Sequence, residues 1–202
     1  MTLIKFCGLR RSEDVEAAVR AGADLVGFIL SPRFRRFIEP PLAGSFEVPE
    51  GVRKVGVFVD EPMDYVVSCA SYIDIIQLHG NEDEAYISGL RERTGGAKKI
   101  IKVFIVRDIS DIEAANMSSA DMVLLDAGVG GTGKQFDHLL LSHVKRDYIL
   151  AGGLNDANVS PAIERGGPHL LGVDTSSGVE TDGVKDFGKM RRFASEVKNR
   201  SI

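Results

Sequence analysis

The sequence predicts an α/β fold, a compact (βα)8 TIM barrel with short loops, and three observations carry that expectation. Eight short apolar runs punctuate the 202 residues, each followed by a stretch suited to a helix. The runs are continuously apolar rather than alternating, which is the pattern of parallel strands covered on both faces. Strand and helix signals alternate without a hairpin signal, so crossover connections of one hand are expected. An open doubly wound sheet uses the same units. Eight of them, averaging about 25 residues each, fit a closed barrel near the short end of its usual length. One catalytic domain over residues 1–202 is therefore expected, with no linker or low-complexity tract.

The first strand is read at residues 3–7, closed by Gly8, and Ser12-Glu13-Asp14 opens a helix that Gly22 stops. A second strand at 25–30 leads into an arginine-bearing loop and a weak, proline-flanked helix at 42–46. Strand three at 52–59 ends at Asp60, before a helix over 62–70. The fourth, at 74–78, ends at His79-Gly80, and Asn81-Glu82-Asp83-Glu84 caps a helix running to Arg93. Strand five spans 99–106 and its helix 109–116; strand six spans 121–125, ending at Asp126 and a glycine-rich loop, with a helix at 135–143. Strands seven and eight are read at 148–151 and 170–173, with helices at 157–165 and 188–199.

Composition excludes several classes. A chain that is 44% hydrophobic and 27% charged is neither disordered nor fibrous. No apolar run reaches the roughly 18 residues of a membrane span, and the apolar entry at the N-terminus is too short for a signal peptide. A cytoplasmic protein is expected. The net charge of −4 argues against a nucleic-acid partner, whose phosphates call for a basic surface. Arg33, Arg35 and Arg36 form the one dense basic cluster, local enough to touch a substrate. Cys7 and Cys69 have no metal-spaced partners, so neither a zinc site nor a disulfide is suggested.

Active sites of such barrels gather at the C-terminal strand ends. Those positions hold Cys7, Ser31, Asp60, His79, Arg107, Asp126, Gly152-Gly153 and the run from Asp174 to Ser177. Asp60 and Arg107 are read as places where polarity simply resumes. The two last loops, Gly152-Gly153-Leu154 and Asp174-Thr175-Ser176-Ser177-Gly178, propose a phosphate monoester held between neighbouring βα-loops. Glycines admit an anion to backbone N–H groups, and hydroxyls complete the cradle. A tight turn with no ligand is the alternative for Gly152-Gly153. Cys7 and Asp126 stand out as an acid–base pair. A free thiol titrates near ~8.5, and nearby donors or positive charge lower it into the range of a usable base.

The loop Gly128-Val129-Gly130-Gly131-Thr132-Gly133 matches GxGxxG, but it follows five earlier strands, and the dinucleotide fingerprint opens its fold. Extended to Lys134 it matches GxxxxGK, but Gln135 replaces the hydroxyl that holds magnesium. A glycine loop closing over a substrate is the simpler reading.

Several segments together resemble the phosphoribosylanthranilate isomerases of tryptophan biosynthesis. They are Lys5-Phe6-Cys7-Gly8-Leu9, Gly27-Phe28 with Arg35-Arg36-Phe37-Ile38-Glu39-Pro40, Val55-Gly56-Val57-Phe58-Val59, and Gln77-Leu78-His79-Gly80. In the second half they are Leu124-Leu125-Asp126 with Gly130-Gly131-Thr132-Gly133-Lys134, Leu150-Ala151-Gly152-Gly153-Leu154, and Gly172 through Glu180. The match runs in order from residue 3 to about 195.

The resemblance implies a barrel catalysing an Amadori rearrangement of an N-(5-phosphoribosyl)anthranilate aminoaldose to an aminoketose. It implies Asp126 as general acid, Cys7 as general base, and Arg36 on the anthranilate carboxylate. Gly152, Gly153, Asp174, Ser176, Ser177 and Gly178 would hold the phosphoribosyl end. His79 would either line the pocket or pack behind it. Phe34 stands where the family carries a small polar residue, which keeps Arg33 and Arg35 as alternatives to Arg36. No cofactor and no metal are needed for this proton-transfer chemistry, and the chain is expected as a monomer or a homodimer. The rivals are a histidine-pathway Amadori isomerase, expected to use two acidic residues, and a binding protein that kept only the phosphate cradle.

Overall fold

The computed structural model describes residues 2–126 and 138–199. Eight parallel strands close into a barrel in chain order. They are β1 (Leu3–Phe6), β2 (Leu25–Ile29), β3 (Arg53–Phe58), β4 (Ile75–Leu78), β5 (Lys99–Ile105), β6 (Met122–Asp126), β7 (Tyr148–Ala151) and β8 (Leu170–Thr175). The ring is shut by β1 lying beside β8, with Leu3 opposite Gly172 and Phe6 opposite Thr175. Around it lie α1 (Ser12–Ala21), α2 (Pro40–Ser45), α3 (Met63–Cys69), α4 (Glu84–Arg93), α5 (Ile109–Met117), α6 (Val159–Arg165) and α7 (Phe187–Lys198). Among the described residues no helix is long and apolar enough to cross a membrane.

Period-two alternation splits the apolar residues into two cores. Side chains of Leu25, Val55, Ile75, Ile101, Leu124 and Ile149 fill the barrel. Their neighbours Val26, Phe28, Ile76 and Ile100 face outward and pack under helix residues such as Val15, Ile87, Ile112 and Phe193. Phe6 meets Phe193 at 5.8 Å between ring centroids, tying β1 to the last helix. Full burial of a side chain of this size contributes about 1.5–3 kcal/mol.

Four expectations are corrected. β8 runs two residues further than its apolar segment, because Asp174 and Thr175 pair with Lys5 and Phe6 of β1. α6 begins two residues later than expected, because Asn155 and Asn158 bond each other's backbones and hold the preceding residues in a turn. Of the helix expected at 135–143, the described part is a 3-10 helix over His138–His143, and the glycine loop before it lies outside the described residues. Finally, a hairpin does exist: β9 (Glu180–Thr181) pairs antiparallel with β10 (Val184–Lys185). Asp182 and Gly183 join them with φ of 52° and 76°, the left-handed pair that an Asp-Gly turn supplies.

Loops at the C-terminal face are fixed by a buried carboxylate. Glu82 accepts the backbone N–H groups of Asp60 (2.8 Å) and Gly80 (2.9 Å), so it joins the loops after β3 and β4. Lys102 from β5 donates to Glu82 (2.9 Å) and to the Gly80 carbonyl (2.7 Å). Both side chains are buried, and removing one member of such a pair leaves an uncompensated charge. Lys102→Met should therefore lower unfolding free energy by about 3–5 kcal/mol in urea titration. A loss below about 1 kcal/mol would place the pair with exposed ion pairs instead.

Candidate active site

A cavity of about 610 Å3 opens at the C-terminal ends of the strands. All ten residues expected at the site line it: Cys7, Arg36, His79, Asp126, Gly152, Gly153, Asp174, Ser176, Ser177 and Gly178. Three other polar strand ends lie outside the lining. Ser31 is buried and accepts the Val59 N–H, Asp60 holds Asn81 and sits 3.6 Å from Arg33, and Arg107 pairs with Asp111 on the surface. Of the basic cluster, Arg35 and Arg36 reach the cavity, whereas Arg33 donates to the Val59 carbonyl. Among the described residues no group of three or more His, Cys, Asp or Glu is placed to hold a metal ion.

The two glycine-bearing loops are built as one unit. Gly152 and Gly153 both take positive φ, 105° and 66°, a backbone that L side chains adopt only with strain. Asn158 donates to the Gly153 carbonyl and fixes the turn from below. Thr175 Oγ1 donates to the Leu154 carbonyl at 2.6 Å, joining the end of β8 to the loop after β7. Gly178 lies so close to that same carbonyl that a Cβ would overlap it. Gly152, Gly153, Ser176, Ser177 and Gly178 thus belong to one lining of the cavity.

Cys7 and Asp126 line the same cavity, with β7 and β8 and their loops between them around the ring. The Cys7 backbone N–H donates to Thr175 O (2.9 Å), and its carbonyl accepts Ser176 Oγ (3.0 Å). Gly27 on β2 leaves room for the thiol, since a Cβ there would come within 2.8 Å of Sγ. Burial pushes the Cys7 thiol up from its ordinary value, Lys5 and Lys185 pull it down, and Asp174 adds to the rise. Neighbouring positive charge, expected to lower this thiol, is present but desolvation outweighs it.

Lys5, Gln77, Glu180 and Lys185, which no strand-end signal singles out, join the expected His79 and Arg36 around this pair. Lys5, buried on β1, donates to Asp174 Oδ1 at 2.6 Å. Gln77 is 1% exposed and lines the cavity, and its Oε1 has no hydrogen-bond partner among the described residues. His79 Nε2 stands 3.7 Å from Asp126 Oδ2, so the imidazole borders the carboxylate. Arg36 donates through Nε and one terminal nitrogen to both oxygens of Glu180, at 2.9 and 2.8 Å. Lys185 donates to Glu180 (2.9 Å) and to the Ser176 carbonyl (2.8 Å). Burial alone would raise the Glu180 carboxyl, but Arg36 and Lys185 hold it down at about 2. Burial lowers Lys185, and Glu180 opposes that shift.

A carboxylate depressed in the folded state stabilises the fold fully above its unfolded value and loses that contribution as pH falls through the folded one. For Glu180 the window runs from about 4.5 down to about 2. Glu180→Gln should therefore show a shallower fall of stability across that window than the parent chain, read by thermal melts at stepped pH. Parallel curves would detach Glu180 from acid unfolding.

Comparison with known proteins follows the same geometry. The family model described as N-(5'-phosphoribosyl)anthranilate (PRA) isomerase matches residues 4–196. The N-(5'-phosphoribosyl)anthranilate isomerase of Clostridium kluyveri is 39% identical over 204 residues, covering 98% of this chain and 99% of the relative. The crystal structure of phosphoribosyl anthranilate isomerase from Thermotoga maritima superposes with a TM-score of 0.85 at 36% identity, covering 98% of this chain and 100% of the other. A phosphoribosyl anthranilate isomerase in complex with reduced 1-(o-carboxyphenylamino)-1-deoxyribulose 5-phosphate gives 0.84 at 34% identity, with 98% and 100% covered. A model match over almost the whole length, on a closed barrel with this cavity, means that the chain belongs to the N-(5'-phosphoribosyl)anthranilate isomerase family.

Proposed function

We propose that this chain, acting as one catalytic domain, converts N-(5-phosphoribosyl)anthranilate to 1-(2-carboxyphenylamino)-1-deoxyribulose 5-phosphate by an Amadori rearrangement. The observation that carries the reading is a single cavity lined by a thiol, a carboxylic acid, a double glycine-hydroxyl loop and an arginine. Gly152, Gly153, Ser176, Ser177 and Gly178 anchor the 5-phosphate through backbone N–H groups, with the Ser177 hydroxyl beside them. Arg36 receives the anthranilate carboxylate at the other end. The sugar is thereby held between Cys7 and Asp126, so the reacting atoms need not find one another by diffusion.

Asp126 gives its proton to the furanose ring oxygen, and the C1–O bond breaks as the nitrogen lone pair forms the iminium. Cys7 then takes the proton from C2, and that electron pair forms the enolamine. The thiol's proton then goes to C1 as the C2 hydroxyl gives its proton to the Asp126 carboxylate, which yields the aminoketone and returns both groups to their starting states. Atoms and electrons balance without a co-reactant, which is what an isomerisation requires. His79, next to the Asp126 carboxylate, suits a role in orienting it. A histidine-pathway isomerase fits less well, because the first strand end offers sulfur rather than a carboxylate.

The substrate's anthranilate fluorescence reports turnover directly. Purified protein should consume phosphoribosylanthranilate, whereas a binding protein or a histidine-pathway enzyme would leave the signal in place. Cys7→Ser and Asp126→Asn should each lower kcat by at least about a hundredfold with little change in KM, the scale of positioned acid–base groups. Near-normal turnover in either variant removes that residue from the mechanism. Arg36→Ala should mainly raise KM, and a change confined to kcat would reassign it.

A further inference from the structure

Lys5 carries an ammonium in a place where hydrocarbon would be cheaper. Its side chain is fully buried and absent from the cavity lining, so it lies beneath the floor on which Cys7 sits. Lys5 and Cys7 project to the same inner face, two positions apart on one strand. Beside them, β8 places Asp174 in register with Lys5, and the Lys5 Nζ to Asp174 Oδ1 distance is 2.6 Å. A buried ion pair is often no more stabilising than well-packed apolar residues of the same volume. Filling the barrel therefore does not explain the charge.

We infer that Lys5 is a positioning residue for Cys7: its ammonium, clamped by Asp174, sets how readily the sulfur gives up and takes a proton. The consequence for catalysis rests on the reading of Cys7 as the base, but the charge coupling itself does not. Among the described residues, four charged groups act on the sulfur. Lys5 lies on its own strand, Asp174 on β8, Lys185 on β10, and Arg36 in the loop after β2. Lys185 and Arg36 share the single carboxylate of Glu180, whereas Lys5 is matched one to one by Asp174 directly beneath the sulfur. Lys5 is also the cation that opposes the effect of burial on the thiol most strongly. The pair thus acts with opposite signs: Lys5 favours thiolate, and Asp174 disfavours it.

That opposition makes the test specific. In a Cys69→Ala background, the rate of Cys7 alkylation by iodoacetamide is followed against pH. Lys5→Met should move the midpoint upward and slow the reaction near neutral pH by about tenfold or more, since one nearby charge shifts a group by about one to three units. Asp174→Asn should move it the other way and speed the reaction by about threefold or more. Lys5→Arg, which keeps the charge, should stay close to the parent. Shifts in the same direction for Lys5→Met and Asp174→Asn, or no shift in either, would overturn the inference, because altered access or packing does not reverse sign with charge. Should Lys5→Met fail to fold, the direction seen in Asp174→Asn still decides. Opposite shifts combined with a fully active Cys7→Ser enzyme would leave the coupling intact and defeat only the assignment of Cys7 as base.

Discussion

The pairing of the first strand with the last is the constraint on which the site depends. β1 brings Lys5 and, one residue past its end, Cys7; β8 brings Asp174, and the segment after β8 brings Ser176 to Gly178. Only closure of the ring makes these sequence extremes neighbours. The seam is tight enough to need glycine: a Cβ on Gly172 would come within 2.8 Å of Leu3. The Cys7 N–H to Thr175 carbonyl bond continues the ladder one residue past the strand, so the sulfur is carried by sheet backbone rather than by a loop. Groups mounted on rigid elements hold reacting geometry more closely than groups on loops.

Charge inside the barrel is confined to one end for a physical reason. Below the cavity the interior is apolar, from Leu25 through Ile149. At the rim the ions are grouped: Lys5 with Asp174 inside the ring, Lys102 with Glu82 on its outer side, and Arg36 and Lys185 sharing Glu180. Uncompensated charge at such depth costs several kcal/mol, so pairing is a condition of having the residues there at all. Two of these clusters border the cavity, and the third holds the loops behind His79.

The strands and the candidate site were largely legible in the sequence, because they depend on local signals. Continuous apolar runs mark strands buried on both faces, and the first polar residue after each run marks the rim of the barrel. That logic located Cys7, His79 and Asp126 at the cavity, and the paired glycines located the loops opposite. It shortened β8, because Asp174 reads as the end of a strand until Lys5 is known to lie beside it. The hairpin after Gly178 was overlooked although Asp182-Gly183 is a turn signal, since its two-residue strands carry no alternating pattern. Partnerships were not legible at all. Arg36 and Glu180 are 144 positions apart, and nothing local to either residue announces the other. Burial of Cys7, which decides the direction in which its thiol moves, is likewise a property of the assembled ring.

Glu180's grip on Arg36 has a geometric consequence for recognition. Nε and one terminal nitrogen of the guanidinium are already committed, and Nη1 is the nitrogen left over. The second hydrogen of that terminal nitrogen and Nη1 still form an end-on edge, so a carboxylate arriving at this corner meets the guanidinium end-on rather than side-on. Glu180 fixes the plane and the heading of that edge in advance. Selection at that corner is consequently a matter of direction, because the buried carboxylate decides from which side the remaining edge can be met.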